Sequence, residues 1–215
     1  MRLESKLPRW LVPPALRVSA LVFLCALPAT AQQDPYLKLD QNSRIAIEQL
    51  SDSLRQLGLS DRPLWSKTLQ GIRLGVDNRT IVGAVRKKFT NLRTAFTVLG
   101  PVGDAELDAA AAVLEAGAKP SQLSVFKQRQ KGRSDLQAFT VWADLIYRSV
   151  PGDEAATAIT KLWEDGADEA TYRRLWNDVQ ADISQGLNPG AALQARVREA
   201  PVRPAAAKPP TPPEG

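Results

Sequence analysis

Two stretches of the sequence, 78–102 and 119–133, carry basic residues with no acidic residue among them. In the first stretch Arg79, Arg86 and Arg93 recur every seven residues, so on a helix they lie along one face at intervals of about 10.5 Å. Guanidinium and ammonium groups in such a row bind phosphate and carboxylate groups. The sequence therefore predicts a candidate anion-binding face, which consists of Arg79, Arg86, Lys87, Arg93, Lys127, Arg129, Lys131 and Arg133.

Several interpretations of this basic face are open. It binds an anionic ligand such as phospholipid, lipopolysaccharide or a cell-wall polymer, or it is a solvated surface of the kind that runs of charge usually form. The stretch 153–169 contains six acidic residues and one basic residue, Lys161. That acidic stretch offers a third interpretation, in which it pairs with the basic residues within the fold or between subunits.

A second chemical pattern combines carboxylates with aromatic rings. Glu164 and Asp168 occur close to Trp163, Tyr172 and Trp176, and a pair of carboxylates beside aromatic rings is typical of sites that cleave glycans. The alternative interpretation is that the rings pack in the core and that the acids serve helix ends, where capping and the helix dipole favour them.

The composition excludes several classes of chemistry. The chain has no histidine and a single cysteine, Cys25, which lies in the N-terminal apolar run. Histidine-dependent catalytic triads, histidine–metal sites, zinc fingers and disulfide scaffolds are therefore excluded once that run is removed. No glycine-rich phosphate-binding loop is present, so we expect neither a metal nor a cofactor.

Residues 1–31 have the pattern of a secretory signal. Four basic residues and one acid accompany an apolar run at 18–27, and Ala29 and Ala31 frame a site for signal peptidase. The stretch 18–31 has 14 residues, whereas a membrane-spanning helix needs about 20. We therefore favour cleavage after Ala31 over retention as an anchor. We expect export by the general secretory route and a soluble protein in the periplasm or outside the cell.

Helical periodicity dominates the rest of the chain. Apolar residues recur at spacings of three and four, and no stretch alternates with a period of two. We predict one all-α domain over 41–197, with a leader at 32–40 and a disordered tail, rich in proline and alanine, at 198–215. The domain should contain about eight helices packed as consecutive helical hairpins, in an irregular bundle or a short solenoid-like array.

One short pattern recurs at the predicted helix ends. A small residue is followed by an apolar one and then by a helix-starting residue, as expected for a left-handed C-cap turn. The small residues are Gly75, Gly117, Ser149, Gly166 and Gly186, at intervals of 42, 32, 17 and 20 residues. These intervals match no known helical repeat, so we interpret the pattern as shared capping chemistry without a true repeat.

Three functional hypotheses follow. The first is an exported, non-enzymatic scaffold or adaptor that binds another envelope protein through a groove between hairpins, because helix-packing signals are abundant and cofactor motifs are missing. The second is binding to an anionic envelope surface through the basic face. The third is a carboxylate-based glycan hydrolase. We do not expect a nucleic acid partner, because export separates the protein from nucleic acid and the sequence contains no nucleic-acid-binding motif.

Overall fold

Helices form nearly all of the described structure. The computed structural model describes residues 35–129 and 136–199. In these ranges the chain forms a short 3-10 helix, Pro35–Lys38, and nine α-helices: α1 (Gln41–Gln56), α2 (Arg62–Arg73), α3 (Asn78–Leu99), α4 (Asp104–Ala116), α5 (Pro120–Gln128), α6 (Leu136–Tyr147), α7 (Gly152–Glu164), α8 (Glu169–Ser184) and α9 (Pro189–Glu199). Neither range contains a strand, so the all-α prediction is confirmed.

The helix count and the end of the helical region differ slightly from the predictions. Nine helices occur in the described ranges instead of about eight, and α9 continues to Glu199, two residues beyond the predicted domain end. The signal cleavage residues Ala29 and Ala31, the basic residues Lys131 and Arg133, and the tail from residue 200 onward lie outside the described residues.

The recurrent C-cap turn is present in the structure. Gly75, which follows α2, has a φ of 68°; its amide donates to the carbonyl of Ile72, and the next amide donates to the carbonyl of Gly71. This pair of backbone hydrogen bonds is the Schellman motif. Equivalent turns follow α4, α6 and α8, and also α1 and α7. The motif ends both the first and the second helices of hairpins, so it does not mark a repeating unit. It is capping chemistry that many helix ends share.

The helices pack as hairpins joined in two rows. Consecutive helices pair in α2–α3, α3–α4, α6–α7 and α8–α9, while next-but-one contacts link α1, α3, α5, α7 and α9 in one row and α4, α6 and α8 in another. Ion pairs show that α5 and α7 run parallel, because Lys119 contacts Asp153 at their N-terminal ends and Arg129 contacts Glu164 at their C-terminal ends. This arrangement favours the solenoid-like alternative over the irregular bundle.

A cluster of aromatic rings fixes the position of α7. The ring of Phe126 on α5 lies 5.2 Å from Phe139, 5.9 Å from Trp142 and 5.6 Å from Trp163, measured between centroids. All four side chains are buried. Rings at these distances and tilts stabilise one another beyond their apolar burial, so this cluster joins α5, α6 and α7 into one core.

Ser149 provides a test of the turn geometry. Among the described residues it is the one that is not glycine and has a left-handed φ, 66°. That conformation costs a residue with a side chain about 1–2 kcal/mol. Glycine removes this strain, but it also increases the conformational entropy of the unfolded chain, which offsets part of the stabilisation. We expect Ser149→Gly to raise the free energy of unfolding by about 0.5–1 kcal/mol in urea denaturation.

The matched control is Ser53→Gly, inside α1. The same chemical change in helical conformation should lower the free energy of unfolding by about 0.5 kcal/mol, because glycine is a poorer helix former than serine. A loss of stability at both positions would contradict strain at Ser149.

Candidate functional site

The basic residues of α3 lie on its solvent-facing side. We use the name α3 basic face for Arg79, Arg86, Lys87 and Arg93, all of which are exposed. Within the described ranges none of them forms an ion pair. The guanidinium of Arg93 lies 5.6 Å from the centroid of the Phe89 ring, at cation–π distance. The face therefore presents four cations that are available to an external anion.

The remaining predicted members of the basic face are placed differently. Lys127 is half-buried on α5. Arg129 donates a hydrogen bond of 2.6 Å to the carboxylate of Glu164 on α7, so its charge is already balanced by an acid. The structure thus places the α3 residues on one helix face, whereas Arg129 lies on another helix and differs from them in being paired with an acid.

Lys88, next to Lys87 in the same basic stretch, is buried and takes part in an ionic cluster. Its ammonium lies 2.6 Å from Asp108 and 3.9 Å from Glu115 of α4, and Glu115 also pairs with Lys67 of α2 at 2.7 Å. The cluster ties three helices together. A signal for it exists in the sequence, because Lys88 falls between Val85 and Leu92 on the apolar stripe of α3.

A groove of about 470 Å³ lies between α5 and α7. Val125, Ala156 and Thr160 supply its less polar lining. At one end Asp153 accepts hydrogen bonds from Gln122, at 2.7 Å, and from Lys119, at 3.3 Å. The Arg129–Glu164 pair lines the other end. We call this space the α5–α7 groove.

A second groove, of about 460 Å³, lies between α7 and α9. We call it the α7–α9 groove. Ala158, Leu193 and Val197 supply its apolar lining. Glu154 lies directly over the buried Gly190 and accepts a 3.1 Å hydrogen bond from Gln194. A side chain at Gly190 would collide with this carboxylate, since an added Cβ would lie 2.7 Å from its Oε2.

The two grooves share one wall. Asp153, Thr157 and Lys161 line both of them, and they succeed one another at intervals of four residues, so they form a single line along α7. We call this line the α7 ridge. Its middle residue is the short Thr157, whose hydroxyl donates to the carbonyl of Asp153 at 2.9 Å. The ridge is therefore lowest at its centre and charged at both ends.

A paired arginine and aspartate hold α9, the outer wall of the second groove. The guanidinium of Arg196 donates two hydrogen bonds of 2.7 Å to the two carboxylate oxygens of Asp182 on α8. These bonds stabilise the ionised carboxylate and lower the pKa of Asp182 below its usual value. The bidentate geometry restrains α9 against α8 and so maintains the shape of the α7–α9 groove.

The residues of the glycan-hydrolase hypothesis do not form an open aromatic platform. Trp163 and Tyr172 are buried, and Trp176 is half-buried with the Arg148 guanidinium 5.8 Å from its ring centroid. Asp168 caps α8 by accepting a hydrogen bond from the Thr171 amide. Over the described part of the chain, no three side chains of the metal-binding types are grouped as ligands. The interpretation that Trp163 and Tyr172 pack in the core is therefore confirmed.

Comparisons with known proteins leave geometry as the guide to function. No protein-family model, curated protein or solved structure matches the chain. Of the helices that the structure describes, none is both long and apolar enough to cross a membrane.

The two neighbouring lysines allow a direct test of the ionic cluster. Removing one member of a fully buried pair costs about 3–5 kcal/mol, but the Asp108 side chain keeps 45% of its exposure. We therefore expect Lys88→Ala to lower the free energy of unfolding by about 2 kcal/mol. Lys87→Ala, one position away on the exposed side, should change it by less than about 0.5 kcal/mol. Equal effects in urea denaturation would contradict the structural role of Lys88.

Proposed function

We propose that this protein is an exported, non-enzymatic helical adaptor of the cell envelope, which binds a segment of another envelope protein in the two grooves along α7. The observation that carries the proposal is the pair of grooves, of about 470 and 460 Å³, that share the α7 ridge. The signal-like pattern of residues 1–31 supports export.

The chemistry of the grooves suits a polypeptide ligand. Apolar side chains line them, while charged and amide groups stand at their ends. Protein interfaces have this composition, with an apolar centre that supplies affinity and a polar margin that supplies orientation. Each volume can accept several small apolar side chains, since recognition pockets begin at about 300 Å³.

Site-specific photocrosslinking in intact cells tests this adaptor function. Val125 lines the α5–α7 groove, and Gln128, three residues later on α5, is exposed outside it. A crosslinking residue at position 125 should form an adduct with an envelope protein, and the same residue at position 128 should not. The substitution Thr157→Arg should abolish the adduct, because it places a long charged side chain on the ridge between the grooves. Equal adducts from both positions would contradict binding in the groove.

A second function, binding to an anionic envelope surface, is favoured by the α3 basic face. Its four cations are exposed and form no ion pair with described residues. Arginines spaced along one helix face can contact several phosphate groups at once. Such binding depends on ionic strength, because salt shortens the range of the attraction between exposed charges.

Co-sedimentation tests this second function. The full chain should sediment with vesicles that contain phosphatidylglycerol at about 0.05 M salt and should be released at about 0.5 M salt. Arg86→Glu should weaken binding severalfold. Arg174→Glu is the matched control, because Arg174 is exposed on α8, outside the α3 basic face. Equal weakening by both substitutions would indicate an effect of net charge and would contradict a specific role for this face.

A further inference from the structure

The grooves also indicate what kind of segment they accept. We infer that the partner segment binds in an extended conformation along the α7 ridge, with successive side chains entering the two grooves alternately, a basic residue at the Asp153 end and an acidic residue at the Lys161 end. This inference rests on the proposed adaptor function and specifies the chemistry of its ligand.

The spacing of the grooves favours an extended chain. Packed helices lie about 8–10 Å apart, so the grooves on the two sides of α7 are separated by a similar distance. Successive side chains of a β-strand point to opposite sides. Because stacked sheets, whose side chains fill the space between them, lie about 10 Å apart, such side chains are long enough to enter grooves at this separation. A helical ligand presents its apolar residues in one stripe and would fill one groove only. Two similar grooves on the two sides of one ridge therefore match the period of a strand.

The ridge can accommodate the backbone of such a segment. Thr157 is short and lies between Asp153 and Lys161, which are about 12 Å apart along the helix axis. That distance corresponds to about four residues of extended chain. Gln122 lines one groove and Gln194 lines the other. Gln122 already donates to Asp153 and accepts from the Lys119 amide, and Gln194 donates to Glu154. Each side-chain amide still has a second N–H and a further carbonyl lone pair that a peptide backbone can use. Polar groups of the bound main chain would thus find partners on both sides.

Charge gives the site a direction. Near the N-terminal end of α7 the carboxylates of Asp153 and Glu154 face one ammonium group, that of Lys119. Near the C-terminal end, Lys161 pairs with Asp165 at 2.6 Å and Arg129 pairs with Glu164. Arg198, which lines the α7–α9 groove and forms no ion pair with another described residue, leaves this end with one excess positive charge. The first end is therefore more negative and the second more positive. A segment with opposite charges at its two ends would be oriented by this difference.

Selection from a random dodecapeptide display library against the purified full chain tests the inference. We expect enriched peptides to show apolar residues at alternating positions between a basic and an acidic residue. Their binding should fall at least about tenfold with Thr157→Trp, which fills the low centre of the ridge. Thr97→Trp is the matched control, because Thr97 is also an exposed helical threonine and its hydroxyl also donates to the carbonyl four residues earlier, at 2.9 Å.

A charge exchange tests the direction of binding. In the double variant Asp153→Lys with Lys161→Glu, the selected peptides should lose about tenfold in affinity, since two weak surface attractions become repulsions. Peptides with their two charged residues exchanged should regain that affinity. Circular dichroism of each variant confirms that helical content is unchanged, and Thr157→Lys serves as a second blocking variant.

The outcomes separate this inference from the proposed function. Enriched peptides with apolar residues at helical spacing of three and four, or affinities that ignore the charge exchange, would overturn the extended, oriented mode while leaving the grooves as a binding site. A selection in which no peptide responds to Thr157→Trp or Thr157→Lys would overturn both.

Discussion

Short helices cannot be stable alone, and this constraint governs the structure. The helices range from the nine residues of α5 to the 22 residues of α3, and isolated helices below about 12–15 residues are marginal in water. Each helix must therefore cover its apolar face with neighbours. The longest helix, α3, packs against α1, α2, α4 and α5. The aromatic cluster around Phe126 buries apolar surface between α5, α6 and α7. Capping turns end the helices after a few turns, and packing against next-but-one helices stabilises these short helices.

The same packing creates the surfaces for which we propose functions. When helices of one row lie side by side, the faces that turn away from the second row stay open to solvent. On α3 that open face carries arginines and a lysine, and on α7 it carries a ridge between two grooves. The α3 basic face and the α7 ridge therefore lie on the same row of helices, with α5 between them. The two proposed functions are compatible, since neither requires a residue of the other.

Charged residues in this protein serve different purposes according to what packs around them. Lys87 and Lys88 are adjacent, yet one is exposed and the other links α3 to acids of α4. Arg129 belongs to a basic stretch of the sequence, yet its guanidinium is bound by Glu164, 35 residues away. A pattern of charge along a sequence therefore identifies candidates, and the contacts of each side chain decide which of them can bind a ligand.

The sequence alone determined the features that depend on a few neighbouring residues. Helix positions follow from local caps, prolines and left-handed turns. The burial of Trp163 follows from apolar periodicity, and the alignment of Arg79, Arg86 and Arg93 follows from the helical repeat. Only the tertiary structure decided which helices lie side by side. The grooves along α7, the partner of Arg129 and the acids around Lys88 all depend on residues that are distant in the chain. Local signals act within about one turn, whereas these contacts depend on how several helices cover one another's apolar faces at the same time.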